Sequence, residues 1–394
     1  MLSAAKQMLR NWREQAALSP AAKAELARDK QGLPASDPGI EPAVRAAVQW
    51  LKRAQDESAT HDGGVARDYS LNEGWGPSYP ETTGYIIPTM IDYGQRYGDQ
   101  DAIERARRML DWLVSIQFPE GGFMGGKVNA TLRVPVTFNT GQILIGLAAG
   151  ASTFGDAYLQ PMHKAAVWLR DSLDADGCWR KHATPFAKAG DKTYETHVSW
   201  GLFEAARVAP GNGYAEAAMK QVRWALTQQQ ANGWLANCCL TNPDTPLTHT
   251  LGYALRGFME AHRFSGDADV LARAIKTADG LLSALRPDGF LPGMLKPDWS
   301  AAVSWSCLTG EVQIAHSWLM LFELTGERKY LEAAQKANRY VRRTMRLDGP
   351  ADQLGAVKGS FPVDGAYGRW QYLNWAPKFM IDANLLELDI SRRG

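Results

Sequence analysis

PEGGFMGG (residues 119–126) decides the fold, because relatives of this glycine turn recur along the whole chain of 394 residues. The other copies are HDGGV (61–65), ADGCW (175–179), ANGWL (231–235), PDGFL (287–291) and LDGP (347–350). Their first glycines are separated by 58, 56, 56, 56 and 60 residues. A period this regular indicates one repeated supersecondary unit rather than several unrelated domains.

Two kinds of helical pattern alternate around these turns. AIERARRMLDWLVSIQ (102–117) precedes a turn and has apolar residues spaced three or four apart with charges between them, which predicts a surface helix. NTGQILIGLAAGASTFG (139–155) follows the next loop and has no charged residue, which predicts a helix buried on most faces. Six stretches of each kind predict an all-α fold, a single (α/α)6 toroid or barrel of six helix hairpins. Each turn glycine would supply the positive φ with which an outer helix ends.

The remaining composition limits the domain organisation and the partners. We assign residues 41–394 to the barrel and residues 1–40 to an N-terminal accessory helix packed outside it. MLSAAKQMLRNWREQAALS (1–19) has an amphipathic helical pattern but lacks the apolar run of a signal peptide. The chain has no run of 18 apolar residues, so we expect no membrane span and a cytoplasmic location. A formal net charge of +1 gives no reason to expect nucleic acid.

The residues that bind metals and cofactors form no recognisable motif. Four cysteines include one adjacent pair but no CxxC, so neither a disulfide framework nor a structural zinc site is expected. The chain has no HExxH, and GGFMGG is not followed by the Lys-Ser/Thr of a phosphate-binding loop. We therefore expect no metal and no cofactor.

The loops that precede the buried helices all meet at one end of such a barrel, and we predict the functional site there. The helix starts at that end carry partial positive charge, which favours a carboxylate or a developing oxyanion. The candidate catalytic residues are Glu81, Glu195, His197, His249, Tyr253 and Glu311. The candidate substrate-binding residues are Tyr85, Arg133, Asn139, Gln142, Trp305, Arg369, Trp370, Tyr372, Trp375, Lys378 and Asp382.

Two chemistries fit these residue types. Glycoside hydrolysis needs two carboxyl groups, which four acidic candidates offer: Glu81, Glu195, Glu311 and Asp382. Uronate elimination or C5-epimerisation needs a base, for which the candidates are His197, His249, Tyr85 and Tyr253. It also needs a partner for the sugar carboxylate, for which the candidates are Arg133, Asn139 and Arg369. Each residue also has a structural interpretation, as a dipole-compensating acid, a core histidine or a packed aromatic.

Two resemblances to known families add to this interpretation. WLVSIQFPEGGF (112–123) resembles the glutamine–tryptophan repeats of the squalene–hopene cyclase and prenyltransferase β-subunit superfamily. The Asp-x-Asp-Asp acid of the cyclases has no counterpart, since the nearest string is DADG (174–177), and the zinc-binding set of the prenyltransferases is missing. SYPETTGYIIPTM (78–90) and SCLTGEVQIAHSWLMLFELTGERKYLEAA (306–334) resemble helical-barrel proteins of bacterial polysaccharide synthesis and processing. That group includes uronate lyases, unsaturated glucuronyl hydrolases and glucuronyl C5-epimerases, and it implies carbohydrate chemistry.

The leading hypothesis is a carbohydrate-active enzyme that cleaves an acidic, uronate-containing oligo- or polysaccharide by lyase or hydrolase chemistry, in an exopolysaccharide pathway. Glucuronyl C5-epimerisation is the next hypothesis. An isoprenoid enzyme resembling the terpene cyclases and prenyltransferases, and a non-catalytic carbohydrate-binding protein, are the alternatives from other classes. The sequence does not indicate an oligomeric state.

Overall fold

The computed structural model describes residues 17–393 and contains thirteen α-helices in that range. Helix α1 (Pro20–Asp29) comes first and lies outside the repeat. The six outer helices are α2 (Ile40–Asp56), α4 (Gln100–Ile116), α6 (Leu159–Ser172), α8 (Tyr214–Thr227), α10 (Ala268–Ala284) and α12 (Arg328–Thr344). The six inner helices are α3 (Pro80–Tyr97), α5 (Thr137–Phe154), α7 (Thr196–Val208), α9 (Thr248–Ser265), α11 (Leu308–Thr325) and α13 (Trp375–Arg393).

The inner helices form a closed ring in the order α3, α5, α7, α9, α11, α13, because each packs against the next and α13 packs against α3. Small residues let their backbones approach closely. A Cβ on Gly146 of α5 would lie 2.2 Å from the carbonyl oxygen of Gly84 on α3. The predicted all-α (α/α)6 barrel is confirmed.

Five of the six glycine turns pack against the next outer helix in the ring, and the sixth, at Gly349, contacts Arg346 instead. All six first glycines have positive φ, as Gly121 does at 108°. A Cβ on Gly121 would lie 2.3 Å from the carbonyl oxygen of Lys164 on the next outer helix, so the position excludes any side chain. Gln117 ends α4 and donates through Nε2 to the carbonyl oxygens of Gly121 and Pro161, at 2.9 and 3.0 Å. The repeated turn therefore fixes the spacing of the outer ring.

Short strands connect loops at the amino-terminal end of the inner helices. Strands β1 (Asp68–Ser70), β2 (Gly74–Trp75) and β5 (Gln371–Leu373) form an antiparallel sheet in the order β2-β1-β5, with Tyr69 opposite both Trp75 and Tyr372. Strands β3 (Ser306–Cys307) and β4 (Ser360–Phe361) pair antiparallel. The first sheet ties the loop before the first inner helix to the loop before the last one, across the point where the ring closes.

Helix α1 is attached to the last long loop by buried charges. The Lys358 ammonium lies 2.8 Å from Glu25 Oε1 and 2.5 Å from Asp29 Oδ1, and all three side chains are buried. Arg346 adds a second contact to Glu25, at 3.1 Å. The part of the accessory segment that is described therefore lies against the barrel, while residues 1–16 of the predicted amphipathic helix lie outside the described residues. Within residues 17–393, no helix has both the length and the apolar character that crossing a membrane requires.

Candidate functional site

A cavity of about 570 Å³ opens at the amino-terminal end of the inner helices, and we call it the mouth cavity. Inner helices and the loops before them supply its polar and aromatic lining: Arg67, Tyr79, Glu81, Tyr85, Phe138, Asn139, Tyr194, His249, Tyr253, Tyr367 and Trp375. The remaining lining comes from rim residues of the loops at 126–130 and 184–186, with Leu240 and Thr250. The predicted end of the barrel is thus the end at which a deep aromatic cavity opens.

Glu81 is the carboxyl group of the mouth cavity. It lies in the first turn of α3, and its Oε2 accepts a hydrogen bond of 3.0 Å from Asn139 Nδ2 on α5. Burial raises the pKa of Glu81 to about 8, and the Arg67 guanidinium opposes this shift only partly. At neutral pH the group therefore holds its proton and can act as an acid.

His249 is the imidazole of the mouth cavity. It is the second residue of α9, and its Nδ1 donates to Gln313 Oε1 of α11 at 2.8 Å. With the proton on Nδ1, the lone pair of Nε2 is available to accept a proton. Burial lowers the pKa of His249 to about 4, although the hydrogen bond with Gln313 raises it. The ring is therefore a neutral base at neutral pH.

Two tyrosines form the floor of the mouth cavity, each one helical turn below one of these groups. Tyr85 lies four residues after Glu81 on α3, and Tyr253 lies four residues after His249 on α9. Their hydroxyl oxygens are 3.4 Å apart, and the Tyr253 ring centroid is 4.3 Å from that of His249. Burial raises the pKa of both phenols well above the ordinary value, so both keep their protons.

Arg67 is the deeply placed cation of the mouth cavity, and the sequence analysis did not select it. Its guanidinium lies 5.3 Å from the ring centroid of Trp375 and 5.9 Å from that of Tyr79. It also lies 2.8 Å from Asp68, and its backbone is fixed by hydrogen bonds with Pro77 and Asn374. The available signal was its place just before β1, in the loop that leads to the first inner helix. Phe138 and Tyr367 were also missed, since only their tertiary positions bring them to the cavity.

Two of the predicted carboxyl groups are buried away from the mouth cavity. Glu195 precedes α7, and burial raises its pKa to about 8, opposed by Lys192. Glu311 accepts a hydrogen bond from Ser306, and burial raises its pKa well above the ordinary value. Neither lines the cavity, so the structure does not bring these two predicted catalytic residues together with Glu81 and His249. The physical reason is that an acid near a helix start can turn into the wall between helices instead of toward the axis.

His197 and Gln142 lie within the wall of the barrel instead of lining the cavity. His197 Nδ1 contacts Gln142 Oε1 at 2.6 Å, and its ring packs 4.5 Å from that of Tyr253. The His197–Gln142 pair is equivalent to the His249–Gln313 pair, because in both a histidine at the start of one inner helix contacts a glutamine of a neighbouring inner helix. Burial lowers the pKa of His197 well below the ordinary value, so it is a neutral core residue.

The predicted arginines and three of the predicted aromatics also lie outside the mouth cavity. Arg133 and Arg369 are exposed on loops, and Arg369 lies over the Trp370 ring at 5.5 Å. Trp305 packs close to Gly293 and Gly365 in the loop layer, where a Cβ on either glycine would approach its ring. Tyr372 is buried beside α1, where Glu25 and Asp29 add to the effect of burial in raising its pKa. Long loops fold over one another, so nearness in sequence to a helix start does not bring these side chains to the cavity.

Lys378 and Asp382 face a second cavity at the opposite end of the barrel. Trp375 lines the mouth cavity, but three residues along α13 correspond to about 4.5 Å of depth, which takes Lys378 below the floor. Lys378 Nζ contacts Asp382 Oδ2 at 2.5 Å, and Asp382 Oδ1 accepts from Thr89 at 2.6 Å. Both residues therefore leave the predicted substrate-binding set of the mouth.

No group of His, Cys, Asp and Glu side chains in residues 17–393 has the arrangement of a metal site. The four cysteines are free and buried. The candidate chemistry of the mouth cavity therefore rests on Glu81, His249, the two floor tyrosines and Arg67.

The comparisons with known proteins agree with the barrel. The squalene-hopene cyclase C-terminal domain family matches residues 76–260, slightly less than half of the chain. A search of curated protein sequences gives no significant match.

Solved structures match over nearly the whole length. An unsaturated glucuronyl hydrolase specific for heparin superposes with a TM-score of 0.72 at 15% identity, covering 90% of this chain and 98% of that one. Cellobiose 2-epimerase from Bacillus thermoamylovorans gives 0.69 at 11% identity, with coverages of 93% and 98%. A D-mannose isomerase gives 0.70 at 11% identity, with coverages of 89% and 97%. At these identities the similarity establishes the shared helical barrel.

Proposed function

We propose that this chain is a carbohydrate-active enzyme that epimerises a uronate residue of an acidic oligo- or polysaccharide at C5, inside the mouth cavity. The observation that carries this proposal is the position of the acid and the base. Glu81 lies on α3 and His249 on α9, three places apart in the six-membered ring of inner helices, so they stand on opposite walls. A sugar ring bound between them would have a base on one face and an acid on the other, as inversion of a carbon centre requires.

The proposed reaction begins at His249. Its Nε2 removes H5 as a proton, and the electron pair of the broken C–H bond delocalises into the C6 carboxylate, which Arg67 stabilises by its charge. Glu81 then donates its proton to C5 from the other face, and the inverted C–H bond forms. His249 ends protonated and Glu81 ionised. Proton exchange with solvent through the open cavity then returns both groups to their starting protonation states.

Aromatic side chains suit a pyranose ring as substrate. Eight of the residues that line the mouth cavity are Phe, Tyr or Trp. Their faces can pack against the C–H faces of a sugar while Asn139 and the tyrosine hydroxyls bind its hydroxyl groups. Comparable barrels include sugar epimerases and isomerases, which supports sugar chemistry without indicating the reaction.

Uronate elimination is the second candidate, because it uses the same base and the same carboxylate partner. It differs in the second step, where a donor must protonate the leaving glycosidic oxygen. Tyr253 favours it, since its protonated phenol belongs to a ring packed 4.3 Å from His249.

Two other hypotheses have less support. Hydrolysis usually needs two carboxyl groups, and among the described residues that line the mouth cavity Glu81 is the only acidic one. Isoprenoid cyclisation would suit the aromatic lining and the cyclase-like turns, but protonating an alkene needs a strong acid, whereas burial raises the pKa of Glu81. A purely binding role requires neither an acid nor a base, whereas the mouth cavity places one of each on opposite walls.

The test is to incubate the protein in D₂O with glucuronate- and galacturonate-containing polymers and to follow C5 by NMR and mass spectrometry. Epimerisation incorporates solvent deuterium at C5 and inverts its configuration without chain cleavage. Elimination gives unsaturated uronate with ultraviolet absorbance, and hydrolysis gives new reducing ends without deuterium on carbon.

The matched variants are His249→Ala and His163→Ala. His163 is a partly buried histidine on the outer helix α6, hydrogen-bonded to Tyr214 and distant from the cavity in the fold. We expect deuterium incorporation to vanish in His249→Ala and to persist in His163→Ala. Incorporation that survives in His249→Ala would refute the assignment of the base, and cleavage without carbon-bound deuterium would refute epimerisation.

A further inference from the structure

The second cavity, at the carboxyl-terminal end of the inner helices, has a volume of about 1010 Å³. Cations at its rim have an ordinary explanation, because Arg96, Arg207 and Arg263 lie in the last turns of inner helices, where they compensate the helix dipole. Its base is different. Arg256 and His316 are nine residues from the ends of α9 and α11, about 13 Å from the carboxyl-terminal ends, so capping does not account for them.

Arg256 has an unused donor edge in this base. Its Nε donates to Glu260 at 2.9 Å and its Nη1 to His316 Nδ1 at 2.9 Å, while its guanidinium stacks 4.2 Å from the Trp200 ring centroid. Within the described chain, Nη2 has no hydrogen-bond acceptor. The Arg256 side chain lines the second cavity and is 12% exposed, so Nη2 is available to an acceptor that enters the cavity.

His316 contributes a second donor. A guanidinium can only donate, so His316 Nδ1 must be the acceptor of the bond from Arg256, and the ring proton is therefore on Nε2. Burial and the nearby charges of Arg256, Lys378 and Arg263 lower the pKa of His316 well below the ordinary value, which keeps the ring neutral. Apart from the same guanidinium, Nε2 has no neighbour at hydrogen-bond distance in residues 17–393.

Lys378 contributes a third donor. It is buried, and of its three ammonium hydrogens only one has an acceptor, Asp382 Oδ2. Its Nζ lies 5.9 Å from the ring centroid of Trp200, the ring on which Arg256 stacks, so both cations are close to one aromatic ring. Asp382 and Glu260 are the carboxylates that pair with Lys378 and Arg256, and each pair leaves some of the cation's N–H groups without an acceptor.

We infer that the base of the second cavity is a binding site for a small oxyanion, a carboxylate or a phosphate, which would accept hydrogen bonds from Arg256, His316 and Lys378. Three donors at one cavity base, each with N–H groups that no described residue accepts, are the feature that such a ligand satisfies. This site is separate from the mouth cavity and does not depend on the function proposed above. It does adjoin the floor of that cavity, since Lys378 Nζ lies 5.3 Å from the ring centroid of Tyr85.

The test uses isothermal titration calorimetry with inorganic phosphate and, separately, with acetate, a carboxylate without the sugar ring that the mouth cavity is proposed to bind, to distinguish the two sources of the oxyanion. Ser152→Trp places a bulky ring at the rim of the second cavity without touching its base, because Ser152 is exposed on α5 and lines that cavity. Thr153→Trp is the matched control, exposed on the same helix but outside the cavity lining. Arg67→Gln removes the deeply placed cation of the mouth cavity and leaves Lys127 at its rim.

We expect at least one of the two probes to bind the wild type, with Kd raised at least about tenfold in Ser152→Trp and unchanged in Thr153→Trp and Arg67→Gln. In protein with ¹⁵N-labelled histidine, the same probe should shift the Nε2–H signal of His316, and this signal should be absent in His316→Phe. The inference is overturned if neither probe binds, if Ser152→Trp binds as tightly as the wild type, or if only Arg67→Gln weakens binding.

Discussion

Substituting Gly310 by alanine should show how the packing of two inner helices affects the free energy of unfolding and, separately, the catalytic rate at the mouth cavity. Gly310 lies in the first turn of α11, at the contact with the start of α9. A Cβ there would lie 2.5 Å from the backbone nitrogen of His249 and 2.6 Å from the carbonyl carbon of Thr248. An ordinary contact begins at 3.4 Å, so the two helices must separate by about 0.9 Å, the difference between these distances. Backbone atoms cannot rotate away as a flexible side chain could.

Two magnitudes follow from that displacement. Overpacking of this kind lowers the free energy of unfolding by about 1–3 kcal/mol. A shift of roughly 1 Å between catalytic groups and substrate can lower the rate about 100-fold. His249 is the residue that moves, and its partner Gln313 is on the other helix, so we expect Gly310→Ala to fold but to lose most of the deuterium incorporation.

The matched control is Gly326→Ala at the carboxyl-terminal end of the same helix. Gly326 has φ of 72° and no atom within 4 Å of a built Cβ, so alanine there costs about 1–2 kcal/mol through backbone strain alone. Urea denaturation and the D₂O assay would be applied to both variants. Comparable stability losses with a rate loss confined to Gly310→Ala would support the reasoning. Full activity in Gly310→Ala, or an equal rate loss in Gly326→Ala, would refute it.

Three further predictions concern protonation. The pH profile of activity should rise through about pH 4, as His249 becomes neutral, and fall through about pH 8, as Glu81 ionises; limbs elsewhere, in kcat measured from pH 3 to pH 10, would contradict these roles. Gln313→Leu should lower kcat by roughly 10- to 100-fold with little change in KM. The hydrogen bond from His249 to Gln313 raises the pKa of His249, so its removal should lower that pKa and move the acid limb of the profile to lower pH. An acid limb that does not move would show that Gln313 has a purely structural role. Burial raises the pKa of Glu195 from 4.5 to about 8, so its contribution to the free energy of unfolding is fully present below about pH 4.5 and is lost as pH rises through about 8. In urea denaturation, Glu195→Gln should make the free energy of unfolding fall less steeply over this range. An unchanged slope would be evidence against this role of Glu195.

The helices, and whether each is outer or inner, could be predicted because both depend on the pattern of apolar and charged residues within one short stretch. The charged, periodic stretch at 102–117 forms the outer helix α4, and the uncharged stretch at 139–155 forms the inner helix α5. A helix that is buried on one face has periodic apolar residues, and a helix that is buried on all faces is apolar throughout, so eighteen residues suffice to tell them apart. The spacing of the glycine turns then gives the number of hairpins. The end of the barrel at which the mouth cavity opens also followed, from the position of the long loops.

The membership of the site could not be predicted in the same way. Trp375 and Lys378 are three residues apart on α13, yet they face different cavities because the floor of tyrosines lies between them. Arg67 lines the mouth cavity, while Arg133, which lies next to an inner helix in sequence, is exposed on a loop. Depth along a helix and the folding of one loop over another are set by contacts between distant repeats.

The sequence by itself therefore determined the repeat, the two kinds of helix and the glycine turns, because burial patterns and positive φ are properties of a few neighbouring residues. Only the tertiary structure decided that Glu81 and His249 stand on opposite walls, and that burial shifts their pKa values in opposite directions. It also decided that Arg256, His316 and Lys378 meet at the base of a second cavity. These properties depend on closure of the ring, which brings residues more than 100 positions apart into one enclosed space and removes the water that would otherwise hold their pKa values at ordinary levels.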